Sequence, residues 1–242
     1  MLRALGAWWQ ATARRDGATS ACRQLAEALW EFARDSTPER KRSRYGDADY
    51  DWDHRVNTTS GGLGWRERLL GTLHSPYQPT EPDLFHTMIA DWIEKTGADP
   101  RAFCFCDLGS GKGRTLLMAS DYPFNHIVGV ELLPSLHAEA QQNLGKYKGD
   151  SQQCFSLNSV CADATMFPLP AEPLLLYLFN PFPEAGMRRV MENVKVRLGQ
   201  PAPLYVLYHN PLFEHLLAQG AGLSKLGGTH QYTLLAVDSD QK

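Results

Sequence analysis

The segment Asp107-Leu108-Gly109-Ser110-Gly111-Lys112-Gly113-Arg114 carries the strongest chemical signal in the chain. It stands between a short apolar run and a helical pattern, which is the context a cofactor loop requires. One glycine permits a tight turn, one lets a ligand approach the backbone, and one allows close helix–strand packing. Gly109, Ser110, Gly111 and Gly113 are therefore the expected cofactor-binding positions of the loop. A dinucleotide fingerprint spells G-x-G-x-x-G, but here the third glycine comes one residue early, at Gly113, and Arg114 follows. No Gly-Lys-Ser/Thr with the right lead is present, so the loop is not a P-loop. Asp107 precedes the first glycine and projects at a strand's carboxyl end, where it suits an ammonium-bearing ligand better than a pyrophosphate. Glu131 ends the next strand, in Val128-Gly129-Val130-Glu131-Leu132, roughly 20 residues beyond the loop, where a carboxylate accepts from both hydroxyls of a ribose. Asp163 follows a third strand, placed to accept from a base amino group with the backbone of Ala164 assisting. Each acid alone reads as readily as a helix cap or a surface charge. Three at successive strand ends, with the glycine loop, describe a site for a nucleoside that carries an amino acid.

The elements that must position these groups are legible from residue 80 onward. Leu84, Phe85, Met88, Ile89, Trp92 and Ile93 mark an amphipathic helix, with Thr80 as its expected cap. Phe103 to Leu108 reads as a buried strand, 112–120 as helix, 126–131 as strand and 134–147 as helix. Phe155 to Cys161 is a third strand. Leu174 to Phe179 is almost wholly apolar, as expected of a central parallel strand covered on both faces. A helix near 184–198 buries Met187, Val190, Met191, Val194 and Leu198. Leu204 to Tyr208 is another central strand, followed by a short helix at about 211–219. Leu223–Leu226 and Tyr232–Val237 read as two strands joined by a turn at Gly227-Gly228. Strands alternating with helices imply a mostly parallel sheet with right-handed crossovers, closed by an antiparallel hairpin at one edge.

Ahead of this lies an extension. Residues 1–35 read as helix, with Leu25, Leu29, Phe32 and Ala33 on one face, and Ser36 with Glu39 resembles a capping box. Arg40, Lys41, Arg42 and Arg44 are followed by Asp47, Asp49, Asp51 and Asp53, interleaved with Tyr45, Tyr50 and Trp52. That stretch is either a solvated loop with local ion pairs or a cap over the active site. The expected division is residues 1–75 as a helical extension with cap and loop, and 76–242 as the α/β domain.

Residues from about 77 to 237 resemble class I, Rossmann-like methyltransferases that depend on S-adenosylmethionine. The resemblance rests on Asp107-x-Gly109-x-Gly111-x-Gly113, Glu131, Asp163 and Asn180-Pro181-Phe182. The longer text, from Tyr77-Gln78-Pro79-Thr80 to His209-Asn210-Pro211, resembles stand-alone bacterial methyltransferases of undefined substrate. The loop with Gly129-Val130-Glu131 also resembles the non-SET histone-lysine methyltransferases, over the cofactor half only. The resemblance implies a seven-stranded sheet with one antiparallel strand, S-adenosylmethionine as cofactor, and a segment around Tyr77 and Thr80 covering the methionine moiety, a hydroxyl there binding its carboxylate. For Tyr77 and Thr80 the competing reading is a turn set by Pro76 and Pro79.

Methyl transfer is an in-line displacement in which the protein aligns the nucleophile and excludes water. A nitrogen nucleophile needs acceptors for its N–H groups, and the Asn180 and Pro181 carbonyls after the strand ending at Phe179 offer two. Phe182 offers a π face to a planar amine or a developing cation. In the family, Asn-Pro-Pro-aromatic motifs at this place mark methylation of adenine or glutamine nitrogens; Phe182 replaces the second proline, which weakens those assignments. The alternative is that Asn180-Pro181 merely turns the chain. His209-Asn210-Pro211 ends the neighbouring strand, and His209 is either a base, its ordinary pKa of about 6.5 suiting proton removal, or a hydrogen-bonded structural residue. Asn180, Pro181, Phe182 and His209 are the candidate catalytic positions.

The chain of 242 residues carries a formal net charge of -3, which opposes a protein dominated by nucleic-acid electrostatics. Its 43% hydrophobic and 21% charged composition is that of a globular chain with a core. The five cysteines include Cys104 and Cys106, but no second Cys or His pair stands at ligand spacing, so buried thiols in a reducing compartment are expected and no metal. No apolar run approaches the roughly 18–20 residues that span a bilayer, and a cytoplasmic protein is expected. The expected partner is the methyl acceptor, a protein side chain or a small molecule. A nucleic-acid methyltransferase, favoured by Arg40–Arg44, and a non-catalytic S-adenosylmethionine- or nucleotide-binding regulator are the alternatives; a nicotinamide-dependent reductase ranks last.

Overall fold

The structure is a computed structural model that describes residues 17–19, 22, 48–59, 79–179 and 182–237. The chain divides into two compact units, Met1–Gly46 with Ser60–Pro76, and Asp47–Thr59 with Tyr77–Lys242. The elements below all belong to the second. Their order is α1 (Ala48–His54), α2 (Pro82–Thr96), β1 (Cys104–Leu108), α3 (Arg114–Ala119), β2 (His126–Glu131), α4 (Pro134–Lys146), β3 (Leu157–Cys161), β4 (Leu174–Phe179), α5 (Glu184–Leu198), β5 (Leu204–His209), β6 (Leu223–Gly228) and β7 (Tyr232–Val237).

The seven strands form one sheet in the order β3-β2-β1-β4-β5-β7-β6. The five strands from β3 to β5 run parallel, and β7 is antiparallel to both β5 and β6. This is the mostly parallel α/β sheet with a C-terminal hairpin that the alternating pattern implies. Strand periodicity splits the core into two layers. Cys104, Cys106, Leu108, Leu174, Leu176 and Leu178 face one side, where Met187, Val190 and Val194 of α5 cover them. Phe103, Phe105, Leu175, Tyr177 and Leu207 face the other, under Phe85, Met88, Ile89 and Trp92 of α2 and Leu116 and Met118 of α3. The order 3-2-1-4 reverses between β1 and β4, and ligands in open α/β sheets bind at the carboxyl edge of such a point.

Several local readings differ from the sequence expectation. Thr80 does not cap α2. Glu81 holds the N-cap position without a side-chain bond, and Pro82 sets the first turn, its missing N–H being one the helix leaves unpaired anyway. Thr80 turns its hydroxyl to Tyr177 instead. Gly227 and Gly228 lie within β6, which bulges between Lys225 and Gly227, rather than forming the turn. The short helix expected at about 211–219 is present over 214–221, with a π-helical turn at Leu216–Gly220 in its middle.

The acidic stretch expected as loop or cap contains α1. Asp51 accepts hydrogen bonds from the Thr58 N–H, the Thr59 N–H and the Thr58 hydroxyl, closing the segment on itself. Asn57 then docks it onto α4: its N–H donates to Asn143 Oδ1 and its carbonyl accepts from Asn143 Nδ2. These bonds are the physical reason that Asp47–Thr59, read from sequence as part of the extension, clusters with the sheet unit. The helical expectations for residues 1–35 and the Ser36 capping box lie outside the described residues, apart from 17–19 and 22.

Candidate functional site

The loop after β1 has the backbone that its glycines foreshadow. Gly109, Gly111 and Gly113 all have positive φ, at 94°, 54° and 84°. A side chain at any of the three would be strained, so the spacing of the glycines reports the path of the turn. The amides of Gly109 and Ser110 both donate to the Val130 carbonyl, at 2.8 and 3.1 Å, tying the loop to the end of β2. Gly129, inside β2, makes room for it. A Cβ there would lie 2.6 Å from both Ser110 Oγ and Leu116 Cδ1 and 2.7 Å from Ser110 Cβ.

Beside the loop is a small, half-open cleft at the carboxyl ends of β1 and β4. Asp107, Gly109, Ser110 and Thr80, all expected from sequence, line it together with Tyr177 and Phe179. Asp107 is buried and accepts from the Thr115 hydroxyl on the first turn of α3. Burial pushes its carboxyl up to about 7, with the Thr115 bond opposing the rise and the nearby Glu131 adding to it. No cation pairs with it among the described residues. Ser110 Oγ is buried and has no hydrogen-bond partner. A buried carboxyl without a counter-ion and a buried hydroxyl without a partner each cost stability, and both meet the same cleft.

Behind them runs a hydrogen-bonded chain. Thr80 Oγ1 and Tyr177 Oη are 2.9 Å apart, and Tyr177 Oη lies 3.0 Å from His209 Nδ1. The His209 ring stacks on Phe179 with centroids 3.8 Å apart. Burial lowers the His209 pKa to about 4, so the imidazole is neutral at pH 7 and holds a proton too weakly to serve as the base for an ammonium substrate. The structure favours its other reading, a hydrogen-bonded structural residue.

The remaining described candidates do not line the cleft. Glu131 is buried but faces the loop: Oε2 accepts from the Gly111 N–H at 2.9 Å and Oε1 from the Leu133 N–H at 2.8 Å. Burial raises its pKa against those two bonds. Asp163 Oδ1 accepts from the Thr165 N–H and hydroxyl, and so caps the turn after β3, while Ala164 is a core residue. Phe182 packs into the core beside Met187. The ring read as a π face for the acceptor is thus buried. Tyr77, Asn180 and Pro181 lie outside the described residues. Phe179 and His209 are register partners, so the two Asn-Pro segments do follow adjacent strand ends.

Sequence reading missed Tyr177, Thr115 and Arg114. Tyr177 had a signal: one phenol in the run Leu174–Phe179 needs a partner for its hydroxyl when buried. Arg114 had none, since its partners are remote. Its Nε donates to Thr58 Oγ1 at 2.7 Å, its Nη2 lies 3.5 Å from Asp51, and its guanidinium stacks over Tyr50 at 4.8 Å. Lys112, also in the loop, is buried with its Nζ 2.8 Å from Glu139.

No protein-family model matches the chain, and no curated protein matches it. Among solved structures it is similar to an RNA methyltransferase from Salinibacter ruber in complex with S-adenosyl-L-homocysteine, at 17% identity, covering 66% of this chain and 92% of that one, with a TM-score of 0.46. It is also similar to a precorrin-6y C5,15-methyltransferase from Geobacter metallireducens, at 14% identity, covering 66% of this chain and 90% of that one, with a TM-score of 0.48. The overlap at these scores is partial, and the chemistry of the cleft rests on this chain's own residues.

Proposed function

We propose that the chain is an S-adenosylmethionine-dependent methyltransferase. The observation that carries the reading is the pairing, in one cleft at the glycine loop, of the buried uncompensated Asp107 with the unpartnered Ser110 hydroxyl. Those two groups fit the amino-acid end of that cofactor: Asp107 would hold its ammonium and Ser110 would supply a hydroxyl to it. The Thr80 hydroxyl, fixed by Tyr177, is a third polar group on the same wall.

When bound, the cofactor supplies an electrophilic methyl on a sulfonium. The protein's part is to orient and to exclude water. An ionised carboxylate offers about four acceptor sites. Glu131, using one site on Oε2 for the loop amide of Gly111 and one on Oε1 for the Leu133 amide, retains capacity for ribose hydroxyls, and in doing so it would couple the sugar to the Gly111 backbone. Asp163, with Ala164, is the proposed contact to the base. The acceptor end is the edge where β4 and β5 finish side by side, with Asn180 and Pro181 offering carbonyls to a nitrogen nucleophile. Tyr177 and His209 brace that edge from beneath.

The acceptor we favour is a nitrogen of a protein side chain or a small molecule, in keeping with the net charge of -3. Among the described residues no helix is long and apolar enough to cross a membrane, and we place the activity in the cytoplasm. Transfer of labelled methyl from S-adenosylmethionine into extract of a deletion strain tests this. Label is expected in the protein or small-molecule fraction. Label confined to RNA or DNA would move the acceptor to nucleic acid, and no enzyme-dependent label in any fraction would overturn the reading.

A further inference from the structure

At the opposite end of the sheet from the cleft, three potential metal ligands converge that sequence spacing does not reveal. Cys104 opens β1, His126 opens β2, and Glu172 lies two residues before β4. Cys104 pairs in register with His126 on one side and with Leu174 on the other. Register partners in a parallel sheet point to the same face at neighbouring positions, so the topology brings the three side chains together. Their donor atoms all lie within 4.8 Å of one another, and His126 Nε2 is 3.3 Å from Glu172 Oε1.

We propose that Cys104, His126 and Glu172 bind a divalent transition metal of the zinc class, with water completing the shell. The donor set is the argument for the class. A thiolate, an imidazole and a carboxylate suit borderline-soft Zn²⁺, whereas Ca²⁺ and Mg²⁺ take oxygen donors. The carboxylate is also held in place, as ligands of metal sites generally are. Asn125 Nδ2 donates to Glu172 Oε2 at 3.2 Å, leaving Oε1 toward His126. The buried Arg197 pins the backbone beneath, donating to the carbonyls of Pro170 at 2.6 Å and Glu172 at 2.7 Å. One side of the site is open, since the side chains of His126 and Glu172 are 33% and 36% exposed while Cys104 is fully buried. A metal can enter from solvent. A thiol this enclosed is poorly placed as a nucleophile, which argues against reading the trio as a hydrolytic triad.

Binding replaces the Cys104 thiol proton with the metal, the proton passing to solvent, with no change in oxidation state. The metal would then tie together the starts of β1 and β2 and the lead into β4. Cys104 lies three residues from Asp107, about 10 Å along the strand. The role is therefore structural, and it does not depend on the proposed methyl transfer.

The test uses the full chain, stripped of metal with a chelator and titrated with Co²⁺ and then Zn²⁺. One equivalent of Co²⁺ should give a thiolate-to-cobalt charge-transfer band that Zn²⁺ abolishes, and Zn²⁺ should raise the melting temperature. Cys104→Ser should lose the band. His126→Gln and Glu172→Gln, both at partly exposed positions and folded by circular dichroism, should weaken Zn²⁺ binding at least tenfold and abolish the thermal shift. Absence of a charge-transfer band in the wild-type chain, a band that persists in Cys104→Ser, or unchanged Zn²⁺ affinity in both glutamine variants would each overturn the proposal and leave a simple imidazole–carboxylate pair. Binding of S-adenosylhomocysteine by His126→Gln is expected to match the wild type, which separates this site from the cofactor site.

Discussion

Asp107 is a destabilising group retained at a working position. Its ordinary pKa near 3.9 rises to about 7 in the folded chain, so between those values the folded state binds more protons than the unfolded state. Stability therefore falls as pH rises from about 4 to about 7, by on the order of a few kcal/mol. Asp107→Asn keeps an acceptor for Thr115 and removes the buried charge. We predict that this variant melts higher than the wild type at pH 8, and that the gain shrinks toward pH 4.5. A variant that melts lower than the wild type at pH 8 would mean that the charge is already compensated. Tyr177→Phe removes the shared partner of Thr80 and His209 while filling the same space. The loss leaves two buried polar groups unsatisfied and should cost about 1–3 kcal/mol by chemical denaturation. A cost near zero would show that the relay contributes nothing to holding Thr80 at the cleft.

At the scale of elements, the glycine loop and Gly129 form one device. The loop can lie against the end of β2 because β2 has no side chain where Ser110 crosses it. Gly129→Ala should destabilise the chain by about 1–3 kcal/mol through overpacking. It should also weaken cofactor binding, since relief requires Ser110 Cβ, next to the loop backbone, to move. A normal melting temperature with normal affinity would show that the loop has slack. The loop, the strands and the three strand-end acids were legible because each is local. Buried runs such as Leu174–Phe179 set strand limits, and positive-φ glycines announce themselves by identity. The direction in which each acid points was not legible. Glu131 and Asp163 satisfy backbone amides of neighbouring turns, and whether a carboxylate faces a ligand or an amide depends on loop paths that spacing does not encode. The pKa of His209 was likewise hidden, since its burial arises from Phe179 and Tyr177 across the sheet.

On the scale of the whole molecule, distant segments meet at the loop. Asp51 and Thr58 hold Arg114 from 63 and 56 positions away, and Asn57 bonds to Asn143. No periodicity in residues 47–59 signals this, so the sequence left them open between solvated loop and cap. Asp51→Ala should cost about 3 kcal/mol, because it removes the acceptor for the Thr58 and Thr59 amides and one carboxylate facing a buried guanidinium. Thermal unfolding checks the figure, and a loss below about 0.5 kcal/mol, the size of an ordinary surface substitution, would show that the segment is merely apposed. The cluster of Cys104, His126 and Glu172 was illegible for the same reason: its members are neighbours only once β1, β2 and β4 are laid side by side.

The most direct test of the central claim is calorimetric titration of S-adenosylhomocysteine into the full chain, repeated from pH 6 to pH 8.5 for the wild type and Asp107→Asn. An ammonium gripped by Asp107 needs the carboxylate ionised. The wild type should therefore bind one equivalent with affinity that climbs through about pH 7 and then levels, and Asp107→Asn should bind at least tenfold more weakly, without that climb. Equal affinities for the two proteins at every pH, or no binding by the wild type, would contradict it.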